Sequence, residues 1–262
     1  IAEHRLFGRI VVAGASWIAL WLELGMVLLP NRGVEIGALE FLRPLVIEDG
    51  ASRTISLIGT QNAEGNFELH AEAEGEVFGR CVLRAWAGPL NPCLPAEPDN
   101  DASSIDLREF YDRFSESGYH IGPSYQWMLS GQDGKRGAWR QMEAKDATKD
   151  LNAYPLFPGL IDASFHALAS QLADGADVRH GRDIVVPAYV ESIRFAGEAL
   201  RMTSAGVAAT GTGVLQGDVA VYTAEGCCAL DIRGLQFRRI SSESIGRQTG
   251  DSESLQGLVP QW

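Results

Sequence analysis

Hydrophobic and polar positions change their spacing several times along this chain. From Ile10 to Leu29 the residues are apolar almost without interruption. Ile10-Val11-Val12 is β-branched and reads as strand, Ala13-Gly14-Ala15-Ser16 as a small-residue turn, and Ala15–Leu29 as a helix apolar nearly all round and therefore buried on most sides. Beyond it the pattern becomes strand-like over Val34–Ile47, Arg53–Thr60, Asn66–Glu74 and Phe78–Ala87. Turn signals separate these runs: Glu48-Asp49-Gly50, Asn62-Ala63-Glu64-Gly65 and Glu74-Gly75. Short loops between successive strands make antiparallel neighbours. One buried helix followed by a long antiparallel sheet predicts a sheet curled around that helix.

The order then repeats. Residues 1–90 form the first half, and residues 91–104, rich in proline, read as a stiff linker. The second half, 105–240, opens with an amphipathic helix over Ile105–Ser117, carrying Leu107, Phe110, Tyr111 and Phe114 on its apolar side. Strand patterns follow at Tyr125–Gly131 and Gly137–Ala144, with Gln132-Asp133-Gly134 as the hairpin signal between them. A loop over Asp150–Pro158 leads into a second strongly apolar helix, Gly159–Ala173. Strands are expected at Ile184–Phe195, Leu200–Gly211, Val214–Thr223 and Cys227–Phe237, and a polar tail over 241–262. The fold class is α+β, with two antiparallel sheets each wrapped around a long buried helix.

Composition narrows the classes of function. A net charge of -12 argues against binding a nucleic-acid backbone, which needs a basic footprint. Ile10–Leu29 has the length of a membrane span, but Gly14, Ser16 and Gly25 break it and Glu23 lies well inside, so a membrane role is not expected. Cys81, Cys93, Cys227 and Cys228 fit neither a disulfide framework nor a metal knuckle, which points to a cytoplasmic location.

Two places carry candidate chemistry. His4 precedes a strand that turns into a buried helix, where exposed first-turn amides are able to hold a carbonyl oxygen. On the second apolar helix, Asp162 and His166 lie four apart and share a face bordering the stripe Ile161, Phe165, Leu168 and Leu172. An aspartate in a first helical turn is commonly a capping or dipole partner, but beside an apolar stripe an idle carboxylate is costly.

Three stretches together resemble the dehydratase domains of modular polyketide synthases. They are His4-x-x-x-Gly8-x-x-x-x-Ala13, Gly122-Pro123-Ser124-Tyr125 and Pro158-Gly-Leu-Ile-Asp162-x-x-x-His166. The family patterns are His-x-x-x-Gly-x-x-x-x-Pro, Tyr-Gly-Pro-x-Phe and Asp-x-x-x-Gln/His, here in the same order and spanning nearly the whole chain. The resemblance implies a double hotdog and elimination of water from a 3-hydroxyacyl thioester to give a 2-enoyl thioester. His4 would be the base and Asp162 the acid, with Gly14, Tyr119, Ile121, Pro123, Tyr125, Phe157, Pro158 and His166 around the substrate. An acyl carrier protein would deliver the substrate on its phosphopantetheine arm, so no separate cofactor is expected, and neighbouring synthase domains would be partners. Contact with an acidic carrier would need a local basic patch, for which Arg233, Arg238 and Arg239 are candidates. The resemblance leaves room for a homodimer.

Departures are visible. Ala13 replaces the motif proline, Ile121 the tyrosine of Tyr-Gly-Pro, and Phe157 a histidine that often precedes Pro158. Related domains carry strands upstream of the motif histidine, so the first sheet is expected to be abbreviated or to lack a segment in this numbering. Three other readings of the same residues remain. The pair His4/Asp162 would equally serve a double-bond shift or ring closure, the domain would be a silent scaffold, or His4, Asp162 and His166 would hold a metal, which nothing in the sequence requires. With Leu160, Ile161 and Phe165 around it, Asp162 is expected to keep its proton at neutral pH through burial.

Overall fold

The computed structural model describes residues 1–90, 92, 94, 100–135, 137–145, 151, 154–173, 183–196, 202–209 and 215–246. The chain opens with a tight hairpin, β1 (His4–Leu6) and β2 (Arg9–Val11), joined by Phe7 and Gly8. Both loop residues have positive φ, 50° and 80°, as the two-residue turn that matches strand twist requires. The four-residue step from His4 to Gly8 is thus the geometry of one hairpin. The helix α1 (Gly14–Leu28) follows at once. Its first two turns are largely buried, and it emerges at Glu23, Met26 and Val27.

After α1 come β3 (Gly33–Phe41), β4 (Val46–Ile47), β5 (Ser56–Gln61), β6 (Phe67–Ala73) and β7 (Glu76–Trp86). The expected single strand Val34–Ile47 is two, because the chain leaves the main sheet after Phe41 and β4 pairs with β2 instead. The second half contributes β8 (Ser103–Ser104), α2 (Leu107–Glu116), β9 (Tyr119–Ile121), β10 (Met128–Gly134), β11 (Gly137–Glu143), α3 (Pro158–Ala173), β12 (Asp183–Phe195), β13 (Met202–Ala209), β14 (Gln216–Thr223), β15 (Cys228–Ser241) and α4 (Ser242–Gly246).

Asp106 caps α2, its side chain accepting from the amides of Arg108 and Glu109. Tyr125, expected to begin a strand, instead ends a 3-10 turn over Pro123–Tyr125, and the strand starts at Met128. The hairpin signal Gln132–Gly134 lies inside β10, which runs on to pair Gly134 with Gly137. Much of the expected linker, at 91, 93 and 95–99, lies outside the described residues, and its end at Ser103–Ser104 is already an edge strand.

Eleven strands form one antiparallel sheet in the order β5-β6-β7-β3-β12-β15-β14-β13-β11-β10-β8. The sheets of the two halves are joined edge to edge by β3 and β12, with Ile36 opposite Ile193 and Val34 opposite Phe195. α1 packs on β3 and β7, α3 on β11, β13 and β14, and the two helices pack on each other. This is the double hotdog arrangement: each helix is wrapped by its own half of the strands.

A second sheet, β4-β2-β1-β9, mixes the halves, since β9 pairs with β1. The polar tail expected from residue 241 starts as part of the fold. Its helix α4 buries Ile245 against Leu6, Val11, Tyr119 and Ile184, pinning the hairpin that carries His4. No helix among the described residues is long and apolar enough to cross a membrane.

Pro158 opens α3, where its missing amide costs nothing. At Gly159 the helix start meets the 3-10 turn so closely that a Cβ would lie 2.0 Å from the Ser124 carbonyl oxygen and 2.7 Å from Trp127 Nε1. The first of these is backbone, which cannot swing aside. Gly159→Ala should therefore lower stability by about 1–3 kcal/mol, in the range of overpacked cores. Thermal unfolding checks this, and an unchanged midpoint would contradict the close approach.

Candidate active site

His4 sits in a three-residue strand held on both sides, by β2 and by β9. It is 2 % exposed. Its Nδ1 is 2.7 Å from the Val11 carbonyl oxygen. A carbonyl only accepts, so Nδ1 carries the proton and Nε2 of the neutral ring is left with its lone pair. That nitrogen lies 3.1 Å from the Tyr119 hydroxyl and 4.0 Å from Asp162 Oδ2. The hairpin thus fixes the tautomer of its own histidine.

Asp162 is one turn into α3 and 2 % exposed. His166, on the next turn, puts Nε2 3.1 Å from Asp162 Oδ2. This is ion-pair distance without the alignment of a hydrogen bond, and Asp162 Oδ2 and both ring nitrogens of His166 lack hydrogen-bond partners among the described residues. Phe114 and Tyr119 confine the His166 ring at 5.0 and 5.1 Å between centroids.

The electrostatics correct one expectation. Burial does push the Asp162 carboxyl up, but the adjoining His166 imidazole and then His4 pull it further down, so it lies below the ordinary aspartate value. His4 is displaced downward chiefly by burial, against an opposing pull from Asp162. Burial also keeps the Tyr119 hydroxyl protonated. At neutral pH the resting site therefore holds a neutral His4 beside an ionised Asp162.

A narrow cavity of about 50 Å³ reaches His4 from the surface. Gly14 and Tyr119 line it with His4, Trp17, Phe41 and Pro187, and Arg43 and Arg238 stand on its wall. Gly14 opens α1, and the first amides of a helix have no partner within it. Asp162 does not line this cavity and lies beyond His4.

The remaining expected residues separate into two groups. Ile121 is directly opposite His4 across β1 and β9, so both side chains are on one face of that sheet. Tyr125 places its ring 5.4 Å from that of His4. Pro123, Phe157 and Pro158 frame the site instead: Pro123 starts the 3-10 turn, Phe157 stacks on Trp127 at 5.7 Å, and Pro158 opens α3.

Two participants escaped the sequence reading. The Val11 carbonyl has no side-chain signature. Glu3 accepts from the Ser124 amide and hydroxyl at 2.8 and 2.7 Å, tying the turn to the residue before His4. Among the basic candidates, Arg233 is paired with Asp231, and only Arg238 reaches the cavity.

The family model described as "Polyketide synthase dehydratase N-terminal domain" matches residues 89–246. The one described as "Polyketide synthase dehydratase domain" matches residues 1–73. The chain belongs to the dehydratase domains of polyketide synthases. Among its relatives, the polyketide synthase GfsE of Streptomyces halstedii is 29 % identical over 64 % of this chain, and GfsA of the same organism 25 % over 97 %. The dehydratase domain spans only 5 % and 4 % of those synthases, so its relatives carry it as a small part of much longer proteins.

Solved structures share the fold. The dehydratase domain from the CurF module of curacin polyketide synthase superposes with a TM-score of 0.81 at 16 % identity, over 91 % of this chain and 88 % of that one. The dehydratase domain of RzxB from Pseudomonas fluorescens gives 0.79 at 21 % identity, over 91 % and 89 %. The activity of this family is that of a hydro-lyase acting by dehydration.

The coupling of the two buried groups is measurable. His4 should titrate below the ordinary 6.5, and Asp162→Asn should lower it further, because the carboxylate favours the imidazolium. NMR titration of isotope-labelled histidines reads this directly. A shift upward, or none, would mean that the two groups do not sense each other.

Proposed function

We propose that this dehydratase domain removes water from a 3-hydroxyacyl thioester carried on the phosphopantetheine arm of an acyl carrier protein, with His4 as base and Asp162 as acid. The observation that carries this reading is the unprotonated Nε2 of His4, 4.0 Å from Asp162 Oδ2 across the junction of the halves. The C2 proton passes to Nε2. The C2–H electron pair becomes the second bond between C2 and C3, and the C3–O bond breaks. The departing oxygen receives a proton from Asp162, which His4 has supplied across the 4.0 Å gap. The C2 proton leaves as part of the water, and the pair ends as it began.

Abstraction comes first in this order, because the resting carboxyl is held low. The Gly14 amide at the start of α1 takes the thioester oxygen, which makes the C2 proton more acidic. His166 orients the carboxyl from 3.1 Å.

Support also comes from a relative in fold. The curacin CurK dehydratase has been described as inactive in an aspartate-to-asparagine and in a histidine-to-phenylalanine variant. Delivery by a carrier arm rests on the cavity that opens beside His4 with Arg238 on its wall. Arg238 and the exposed Arg239 give an otherwise acidic domain a basic spot for an acidic carrier.

His4→Ala and Asp162→Asn should each lower turnover of a short 3-hydroxyacyl pantetheine thioester by about 10²–10⁴-fold, with the fold retained. Mass analysis of the 2-enoyl product settles it; near-native turnover in both variants would remove the assignment. The base must be unprotonated, so kcat/KM should be constant above the His4 pKa and fall as pH drops through it, with a midpoint below 6.5. Because Asp162 is already ionised, kcat/KM should show no alkaline limb from this residue.

A further inference from the structure

The two ends of the Gly122-Pro123 turn have exchanged a hydroxyl. Where the family pattern reads Tyr-Gly-Pro-x-Phe, this chain reads Ile121-Gly122-Pro123-Ser124-Tyr125. The position beside His4 on β9 is now apolar, and the position after the turn carries the phenol. Tyr125 is 3 % exposed, with its ring tilted at 50° to His4. Burial keeps its hydroxyl protonated, hence a donor across the working pH range, and Asp162 acts on it electrostatically.

A second polar group waits beside it. Ser16, in the first turn of α1, is 5 % exposed. Its Oγ lies near enough to favour the ionised form of Tyr125. A Ser16 hydroxyl that donates to the Tyr125 oxygen leaves the Tyr125 O–H proton free to donate to another oxygen.

The turn holding Tyr125 is rigid. The Tyr125 amide donates to Gly122 O at 3.0 Å, Gln126 Nε2 to Ile121 O at 2.8 Å, and Trp127 Nε1 to Ser124 O at 2.9 Å. With Glu3 clamping Ser124, the phenol is set in place before substrate arrives.

We propose that Tyr125, backed by Ser16, binds the oxygen on C3 of the substrate, a hydroxyl that Ile121 does not offer. This rests on the dehydratase reading and adds the group that recognises the leaving hydroxyl. With the thioester oxygen at the Gly14 amide and C2 at His4, C3 lies on the side away from the thioester, toward Asp162. Tyr125 donates to the C3 oxygen and leaves the oxygen's lone pair directed at the acid. Tyr125 is thus a specificity residue for 3-hydroxyacyl over unsubstituted acyl chains.

The test compares the full chain with Tyr125→Phe and with Ile121→Tyr/Tyr125→Phe. The first removes one oxygen atom and restores the family residue, so folding is not at issue. The measured quantities are kcat/KM for a short 3-hydroxyacyl pantetheine thioester and the inhibition constant of the saturated acyl thioester lacking the hydroxyl. Tyr125→Phe should lower kcat/KM about 10- to 100-fold and leave the inhibition constant within about twofold. The double variant should regain most of the loss. Equal weakening of both ligands would make Tyr125 merely structural and overturn the proposal, as would an unchanged kcat/KM or a double variant no better than the single. A wild-type chain that fails to dehydrate the substrate at all would instead overturn the dehydratase reading, and this inference with it.

Discussion

Three residues of backbone pairing between β1 and β9 hold the site together. His4, Arg5 and Leu6 of the first half lie opposite Ile121, His120 and Tyr119 of the second. Without that ladder, the strands of the short hairpin carrying His4 would pair with β4 alone, and a hairpin alone is marginal in water. With it, His4 Nε2 meets the Tyr119 hydroxyl at 3.1 Å. The same pairing aligns Leu6 and Tyr119 in a small core that α4 closes with Ile245. The catalytic strand is therefore anchored by residues from the far end of the described chain.

The second constraint is the approach of α3 to the 3-10 turn. Gly159 lets the helix start lie against Ser124, and one turn later Asp162 faces His4. Glu3 ties the same turn to the strand of His4. One short turn is thus gripped by both halves, and His4 and Asp162 are positioned through it. Catalytic geometry needs tolerances of about 0.5 Å, which a loop left unclamped would not supply.

Burial and charge act against each other in this site. Enclosing the Asp162 carboxyl and the His4 imidazole beside Tyr119 and Tyr125 disfavours the charged form of each. The close approach of His166 and His4 reverses the outcome for Asp162, whose carboxyl stays low, while burial prevails at His4. The pair is consequently set with a neutral imidazole beside an ionised carboxylate.

Much of this was legible in the residues. Both buried helices, the run of antiparallel strands and the halves they belong to follow from hydrophobic periodicity, which is a local property of the chain. His4, Asp162 and His166 were legible for a similar reason: their spacings, such as the four-residue step from Asp162 to His166 on one helical face, record local geometry. The single strand expected over Val34–Ile47 was misread because nothing local says that a chain will leave one sheet for another after Phe41. The same limit hid β9 as the partner of β1, the docking of Ile245, and the role of the Val11 carbonyl, which has no side chain to announce it. Asp162 was judged from its apolar neighbours along the sequence, and those do predict a raised carboxyl. Its protonation was decided by how near two imidazoles come in space, and charge interactions depend on that distance, which only the packed fold sets.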